Sequence, residues 1–239
     1  MLMLRDVVAG HGGCRPLHGV TMKADDAGIT AVIGRNGAGK SALANTVGGL
    51  LPVISGQVLF GGYDITGAAA KERVALGIRY LPSGRQLFAG MTLLENLQLG
   101  AARSAPGEFA RGLDFVLTLF PELQSMLGKP AGGLPGAIQR FGVLARGLIS
   151  APKLVVLDQP SLGLNGEDTL RLFRAISDVS HEYGIAVLLT EQKLFQALKL
   201  AETVYRINKG RIDSEHTALE LLADRGIQAE FPGCEVCAA

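Results

Sequence analysis

Charge is scarce in this chain. Only 19% of its 239 residues are Asp, Glu, Lys or Arg, against roughly 25% in an average soluble domain. The two signs nearly cancel, since 23 basic and 22 acidic residues leave a formal charge of +1. A protein dedicated to a nucleic-acid backbone carries a basic surplus, so the balance argues against one. Long apolar runs are also missing. Stretches such as Gly184–Leu189 and Leu154–Leu157 fall far short of the roughly 18 residues that a membrane-spanning helix needs. The opening residues Met1–Leu4, followed by Arg5 and Asp6, lack the charged start and long apolar segment of a secretory leader, so none is expected. Cysteine is limited to Cys14, Cys234 and Cys237, which argues against a disulfide scaffold and suits a reducing compartment.

Apolar residues and glycine are abundant. Hydrophobic residues make up 48% of the chain, which excludes a disordered polymer. The 32 glycines are about 13% of the residues, against about 7% usually, and they follow no collagen-like period. They must therefore serve tight turns or close backbone approaches. A surface poor in charge, without a membrane span, suits a subunit that docks on another protein.

The apolar pattern alternates strand and helix. Strand-like runs occur at Leu2–Val8, Ile29–Ile33, Gln57–Phe60, Ile78–Leu81, Leu154–Leu157, Ile185–Leu189 and Val204–Ile207. Helix-like stretches occur at Ser41–Val47, Leu93–Leu99, Leu170–Glu182 and Leu194–Leu200. Within Leu170–Glu182, Leu172, Phe173, Ile176 and Val179 recur at three- and four-residue spacing, which predicts one buried stripe. Continuously apolar strands such as Leu154–Leu157 and Ile185–Leu189 predict a parallel sheet covered by helices on both faces. From about Thr92 to Ser150 no strand signal occurs, which predicts a helical insertion. Asn208-Lys209-Gly210 reads as a hairpin turn before Arg211–Asp213. The charge clusters Lys71-Glu72-Arg73 and Asp224-Arg225 read as solvated helix faces, and the tail from about Phe231 as loosely held.

Gly34-Arg35-Asn36-Gly37-Ala38-Gly39-Lys40-Ser41 fits the phosphate-loop pattern G-x-x-x-x-G-K-[ST] in full. It follows a predicted strand and opens a predicted helix, the context that gives the motif its meaning. Glycines let backbone N–H groups close around phosphate oxygens, and the helix N-terminus adds a favourable dipole. Lys40 is then expected to reach the β and γ phosphates, and the Ser41 hydroxyl to ligate Mg²⁺. The strand Leu154–Leu157 ends in Asp158, a carboxylate placed to hold the same Mg²⁺.

With these pieces in order, the sequence resembles the ATP-binding subunits of ABC transporters, and most nearly those of branched-chain amino-acid importers. The resemblance rests on the phosphate loop and on Leu81-Pro82-Ser83-Gly84-Arg85 with Met91-Thr92-Leu93-Leu94-Glu95-Asn96-Leu97. It continues through Leu134–Arg140, Ala145-Arg146-Gly147-Leu148, Leu157-Asp158-Gln159-Pro160-Ser161-Leu162-Gly163-Leu164 and Leu189-Thr190-Glu191-Gln192. It implies an α/β phosphate-loop ATPase core with a mainly parallel sheet, an N-terminal antiparallel β region and a helical subdomain. The core is expected at about 1–85 and 151–215, the helical part at about 86–150 and a C-terminal extension at 216–239. The implied ligands are ATP and Mg²⁺. The implied partners are a second ATP-binding subunit in a homo- or heterodimer, membrane permease subunits and, indirectly, a solute-binding protein, with no nucleic acid. The implied place is peripheral, at the cytoplasmic face of the membrane. Arg85, Phe88 and Met91 fall where a permease is expected to dock.

The sequence departs from the family pattern at several site positions. Where the family places a glutamate that polarises the attacking water, this chain has Gln159, which cannot accept a proton at neutral pH. The signature appears as Leu134-Pro135-Gly136-Ala137, followed by Gln139. Pro135 offers the partner's ATP neither a hydroxyl nor an N–H, and Ala137 adds a Cβ where glycine is usual. His11 falls where an aromatic ring usually stacks on adenine, or else it is an exposed loop histidine. Ser83 replaces a longer residue that senses Mg²⁺, Gln192 stands at the γ-phosphate-sensing position, and Ala42 replaces a second hydroxyl after the loop. These changes predict an ATP-binding subunit with weak hydrolysis. The competing expectation is a hydrolysis-poor regulatory or scaffold subunit paired with an active ATPase. A soluble ABC ATPase acting on DNA or in translation fits less well, because such proteins usually carry duplicated cassettes or long coiled coils.

Cys234-Glu235-Val236-Cys237 has metal or redox spacing. A structural zinc needs four ligands, and the histidines His11, His18, His181 and His216 are scattered, so the pair reads as a reduced surface tail.

Overall fold

The computed structural model describes residues 1–84, 87–102, 105, 107–192 and 197–223. Two sheets organise it. The first is antiparallel, with strand order β2-β1-β4-β5, built from β1 (Leu2–His11), β2 (Cys14–Ala24), β4 (Val53–Phe60) and β5 (Tyr63–Asp64). The second has the order β10-β9-β3-β8-β7-β6, from β3 (Ile29–Ile33), β6 (Ile78–Leu81), β7 (Leu154–Asp158), β8 (Ala186–Glu191), β9 (Thr203–Asn208) and β10 (Arg211–Thr217). Its pairings from β9 to β6 are all parallel, and β10 closes one edge as an antiparallel hairpin. Lys209 and Gly210 turn that hairpin at φ 45° and 75°, the double left-handed geometry that a two-residue hairpin loop favours. The Asn208-Lys209-Gly210 expectation is met.

Strands β3, β7 and β8 of the second sheet are buried on both faces, as their unbroken apolar runs predict. Alternate residues divide between two clusters. Ile29, Ala31, Ile33, Val155, Leu157, Val187 and Leu189 pack toward the helical block and α6 (Gly166–His181). Val32, Leu154, Val156, Ala186 and Leu188 pack toward α1 (Lys40–Gly48) and the antiparallel sheet. The predicted stripe of α6 is the buried one: Leu172, Phe173, Ile176 and Val179 are each 5% exposed or less. Asn165 caps this helix by accepting from the Asp168 N–H at 2.8 Å, satisfying one of the donors a helix start leaves open.

The block after β6 holds α3 (Leu93–Gly100), α4 (Glu108–Leu119), two short 3₁₀ turns and α5 (Gly136–Leu148). Thr92 and Glu95 form a reciprocal cap on α3. Helix α4 approaches α5 closely because Gly112 lies against the Ile149 carbonyl, where a Cβ would come within 2.0 Å. The short helix α2 (Ala70–Ala75) corrects one expectation. Lys71 and Glu72 are exposed, but Arg73 is 2% exposed and donates to the carbonyls of Thr46, Val47, Ile65, Thr66 and Ala68. It closes the C-terminal end of α1, whose last carbonyls lack helical partners. After β10, helix α7 spans Ala218–Ala223. Arg85, residues 194–196 of the predicted helix Leu194–Leu200, Asp224-Arg225, Cys234, Cys237 and the tail from Phe231 lie outside the described residues. No helix among the described residues is long and apolar enough to cross a membrane.

Candidate nucleotide-binding site

The C-terminal ends of β3, β7 and β8 lie side by side in parallel register, and the loops that leave them form the site. Ligands of open α/β sheets bind at this edge. The loop after β3 runs Gly34–Gly39 into α1. Gly37 and Gly39 take φ 76° and 113°, left-handed values that glycine reaches without a Cβ clash. Gly34 needs its missing Cβ for another reason, since one would sit 2.4 Å from the Ile207 carbonyl of β9. Arg35, Asn36 and Gly37 are exposed at the tip, while Ala38 is buried beneath. The Gly210 N–H donates to the Ala38 carbonyl at 2.8 Å, so the β9–β10 turn braces the loop from behind.

Lys40 begins α1 and is 4% exposed. Its ammonium donates to the carbonyls of Gly34 at 2.6 Å and Arg35 at 3.0 Å, which places the charge inside the curve of the loop. Burial pulls its pKa below the usual lysine value, while Asp158 and Glu191 pull it back up. Asp158 ends β7, is 2% exposed, and accepts the Thr190 hydroxyl at Oδ1 over 2.6 Å. Next to it, Gln159 holds φ 50° while its N–H donates to the Thr190 carbonyl at 3.0 Å. The Gln192 amide then donates from Nε2 to Gln159 Oε1 at 2.8 Å. The structure thus brings Lys40, Asp158, Gln159 and Gln192 to one edge, and the last two touch directly.

Ser41 follows Lys40 half-buried in the first turn of α1. It has no hydrogen-bond partner among the described residues. A free hydroxyl in the first turn after the loop, with the buried Asp158 and Glu191 carboxylates both close enough to act on the neighbouring Lys40, fits Mg²⁺. That ion keeps most of its ligands as water and phosphate oxygen and takes only one or two from protein. Among the described residues no group of three His, Cys, Asp or Glu could hold a metal by itself.

A family model for ABC transporters matches residues 17–162, more than half of the chain. The chain belongs to the ABC transporter family. It is similar over 98% of its length, at 34% identity, to the whole of the high-affinity branched-chain amino acid transport ATP-binding protein BraG of Pseudomonas aeruginosa. It is 35% identical to the probable branched-chain amino acid transport ATP-binding protein LivF of Archaeoglobus fulgidus, over 81% of this chain and 82% of that one. Among solved structures it resembles the ADP conformation of MJ1267, an ATP-binding cassette of an ABC transporter. The TM-score is 0.84 at 26% identity, covering 95% of this chain and 96% of that one.

The remaining family positions fall at three places in the cassette. Pro135 is the exposed N-cap of α5, at φ −52° and ψ 148°, and no side chain caps the helix. Gly136 and Ala137 follow in the first turn, half-buried, so the amide end of α5 stays available to an anion. Leu134 is buried. Gln139 reaches back toward that end: it is 7% exposed and donates from Nε2 to the Leu134 carbonyl at 2.7 Å. His11 is exposed where β1 turns into β2, paired in register with Cys14. Ser83 is half-buried in the loop after β6, Met91 is half-buried before α3, and Phe88 is 57% exposed with Arg146 over its ring at 5.6 Å. A cleft of about 1000 Å³ lies at the other end of the strands, among Tyr63, Arg111, Phe115, Lys153 and Tyr183, and shares no residue with this site.

The family likeness quoted Thr190, Glu191 and Arg140 within motifs but gave them no individual roles. Thr190 locks the carboxylate of Asp158. Glu191 is buried and accepts from the Ser161 hydroxyl at 2.7 Å. A polar Thr-Glu pair ending the apolar run of β8 was the available signal.

Proposed function

We propose that this cassette is the ATP-binding subunit of an importer for branched-chain amino acids or similar small solutes, and that it hydrolyses ATP slowly. The observation that carries the reading is an intact phosphate loop facing a neutral glutamine pair. The loop and Lys40 supply all that phosphate binding needs, whereas the Gln192–Gln159 contact offers no proton acceptor. Replacing a general base typically loses about 10²- to 10⁴-fold in rate. The likeness to two branched-chain amino acid transport subunits, over 98% and 81% of this chain, supports the solute class.

In this reading the loop amides from Gly34 to Ser41, with Ala42 behind them, bind phosphate and Lys40 balances its charge. Ser41 and Asp158 hold Mg²⁺, with Ser83 nearby in the loop after β6. Bound Mg²⁺ neutralises charge on the β and γ phosphates. Gln159 and Gln192 orient water without deprotonating it, and His11 lies where the base stacks. Leu134, Pro135, Gly136, Ala137 and Gln139 form the end of the helical block that meets a second cassette's ATP. Segments 1–85 and 151–215 act as the core and 86–150 as the helical subdomain, peripheral on the cytoplasmic face of the membrane against permease subunits through Phe88 and Met91. A regulatory subunit paired with an active ATPase is the second reading, favoured by Gln159 alone. Pro135 weighs against it, because that residue affects the partner's site and leaves neither site of such a pair intact.

Titration of the purified cassette with MgATP tests the site. Lys40→Ala is expected to weaken binding about 100-fold, matching the loss of roughly 2.7 kcal/mol of charged hydrogen bonding. Unchanged affinity in that variant overturns the assignment.

A further inference from the structure

A chain of hydrogen bonds joins the nucleotide edge to the helical block, and its hub is a residue to which the nucleotide reading gives no part. Arg140 lies in the second turn of α5 and is 8% exposed. One guanidinium nitrogen donates to the Gly84 carbonyl at 2.7 Å, and the other to the Leu162 carbonyl at 2.8 Å. Gly84 is in the loop after β6, 56 residues away in sequence, and Leu162 is in the loop after β7, 22 residues away. The second loop is also the one that carries Gln159. It is gripped at Ser161, whose hydroxyl and N–H both donate to the buried Glu191 carboxylate, at 2.7 and 3.3 Å. Glu191 in turn precedes Gln192, which holds Gln159. The loop after β7 is therefore tied to the end of β8 on one side and to α5 on the other.

A planar guanidinium presents donors in fixed, diverging directions, so one arginine can span two carbonyls that a lysine cannot. Burying its charge is costly unless those donors are satisfied. Displacing either loop from Arg140 thus carries a penalty felt at the other. We propose that Arg140 is a positioning residue that makes the loop after β6, the loop carrying Gln159 and helix α5 move as one unit. Through it, the state of this chain's own nucleotide site reaches both the permease-side loop and the end of α5 that faces a second cassette. That last consequence rests on the function proposed above, whereas the tie itself does not.

Hydrogen–deuterium exchange of the full chain tests it with Arg140→Met, which keeps an apolar stem, and with Arg140→Lys. Without nucleotide, Arg140→Met is expected to speed exchange about tenfold in residues 83–84 and 161–164 together, the scale of losing one hydrogen bond to a charged group. Helix α1 should exchange as in the native chain. Arg140→Lys should leave at least one of the two loops fast. Unchanged exchange in both loops, or an equal rise across the whole chain, overturns the proposal. With MgATP the native chain should gain protection in both loops, and Arg140→Met only in the loop after β7. A variant in which both loops still respond also overturns it. If the native chain shows no response to MgATP, the nucleotide reading fails, and the nucleotide-free comparison still decides the tie.

Discussion

Gln159 sits at φ 50°, a left-handed backbone that costs an L-residue about 1–2 kcal/mol. Such strain persists only where neighbours over-determine it, and here Thr190 does so. The Gln159 N–H donates to the Thr190 carbonyl and to its hydroxyl oxygen at 3.3 Å, while that hydroxyl donates to Asp158. One threonine thus fixes both the Asp158 carboxylate and the Gln159 backbone N–H. Thr190→Val keeps the shape but leaves the buried Asp158 without this donor, so it should cost about 1–3 kcal/mol in urea unfolding. MgATP affinity should fall with it, and a variant as stable and as tight-binding as the native chain would contradict the role. The positions of Lys40 and Ser41 after a strand and of Asp158 at a strand end were legible in the sequence, because the loop motif and an unbroken apolar run mark them. The Thr190 contact was not, because β7 and β8 are neighbours only after folding.

Helices and strands show the same division. The stripe of α6 and the strands β3, β7 and β8 could be read directly, since their periodicity reflects simple burial on one or both faces. Strand β2 could not. Its pairing with β1 is interrupted by register shifts, and it carries Pro16 and Gly19, the latter at φ 76°. The Pro16 carbonyl packs where a Cβ on Gly39 or Gly210 would lie, so service to the phosphate loop overrides strand propensity there. Helix α4 was hidden by Gly112, which its contact with Ile149 requires. Arg73 belongs to this scale too, since a charge cluster on a short helix gives no hint that one member turns inward to cap α1. Arg73→Met should destabilise the fold by roughly 2–4 kcal/mol through several lost bonds to carbonyls, read from the thermal midpoint. MgATP affinity at a temperature where both chains are folded should stay within about twofold, because Arg73 bonds the far end of α1 from Lys40. A large affinity loss without destabilisation would contradict this division of labour.

The whole cassette combines a full phosphate-loop motif with a glutamine, Gln159, directly after the strand-terminal Asp158. Its parallel sheet and two-sided core were legible because unbroken apolar strands are buried on both faces, whereas the strand order β10-β9-β3-β8-β7-β6 was not. The network through Arg140 was not, since it joins three segments distant in sequence. In the proposed function Gln159 slows cleavage at this chain's own site, and Pro135 loosens the grip on ATP at the site this chain would complete in a partner. The two changes act at different sites, and neither alters Lys40 or the Gly34–Ser41 loop. The most direct test is ATP turnover of the purified cassette and of Gln159→Glu, measured side by side at saturating MgATP. The restored carboxylate can accept the water's proton while still receiving the Gln192 amide, so turnover should rise at least about tenfold, within the range of general-base effects, at similar MgATP affinity. Equal turnover in the two chains would contradict the account.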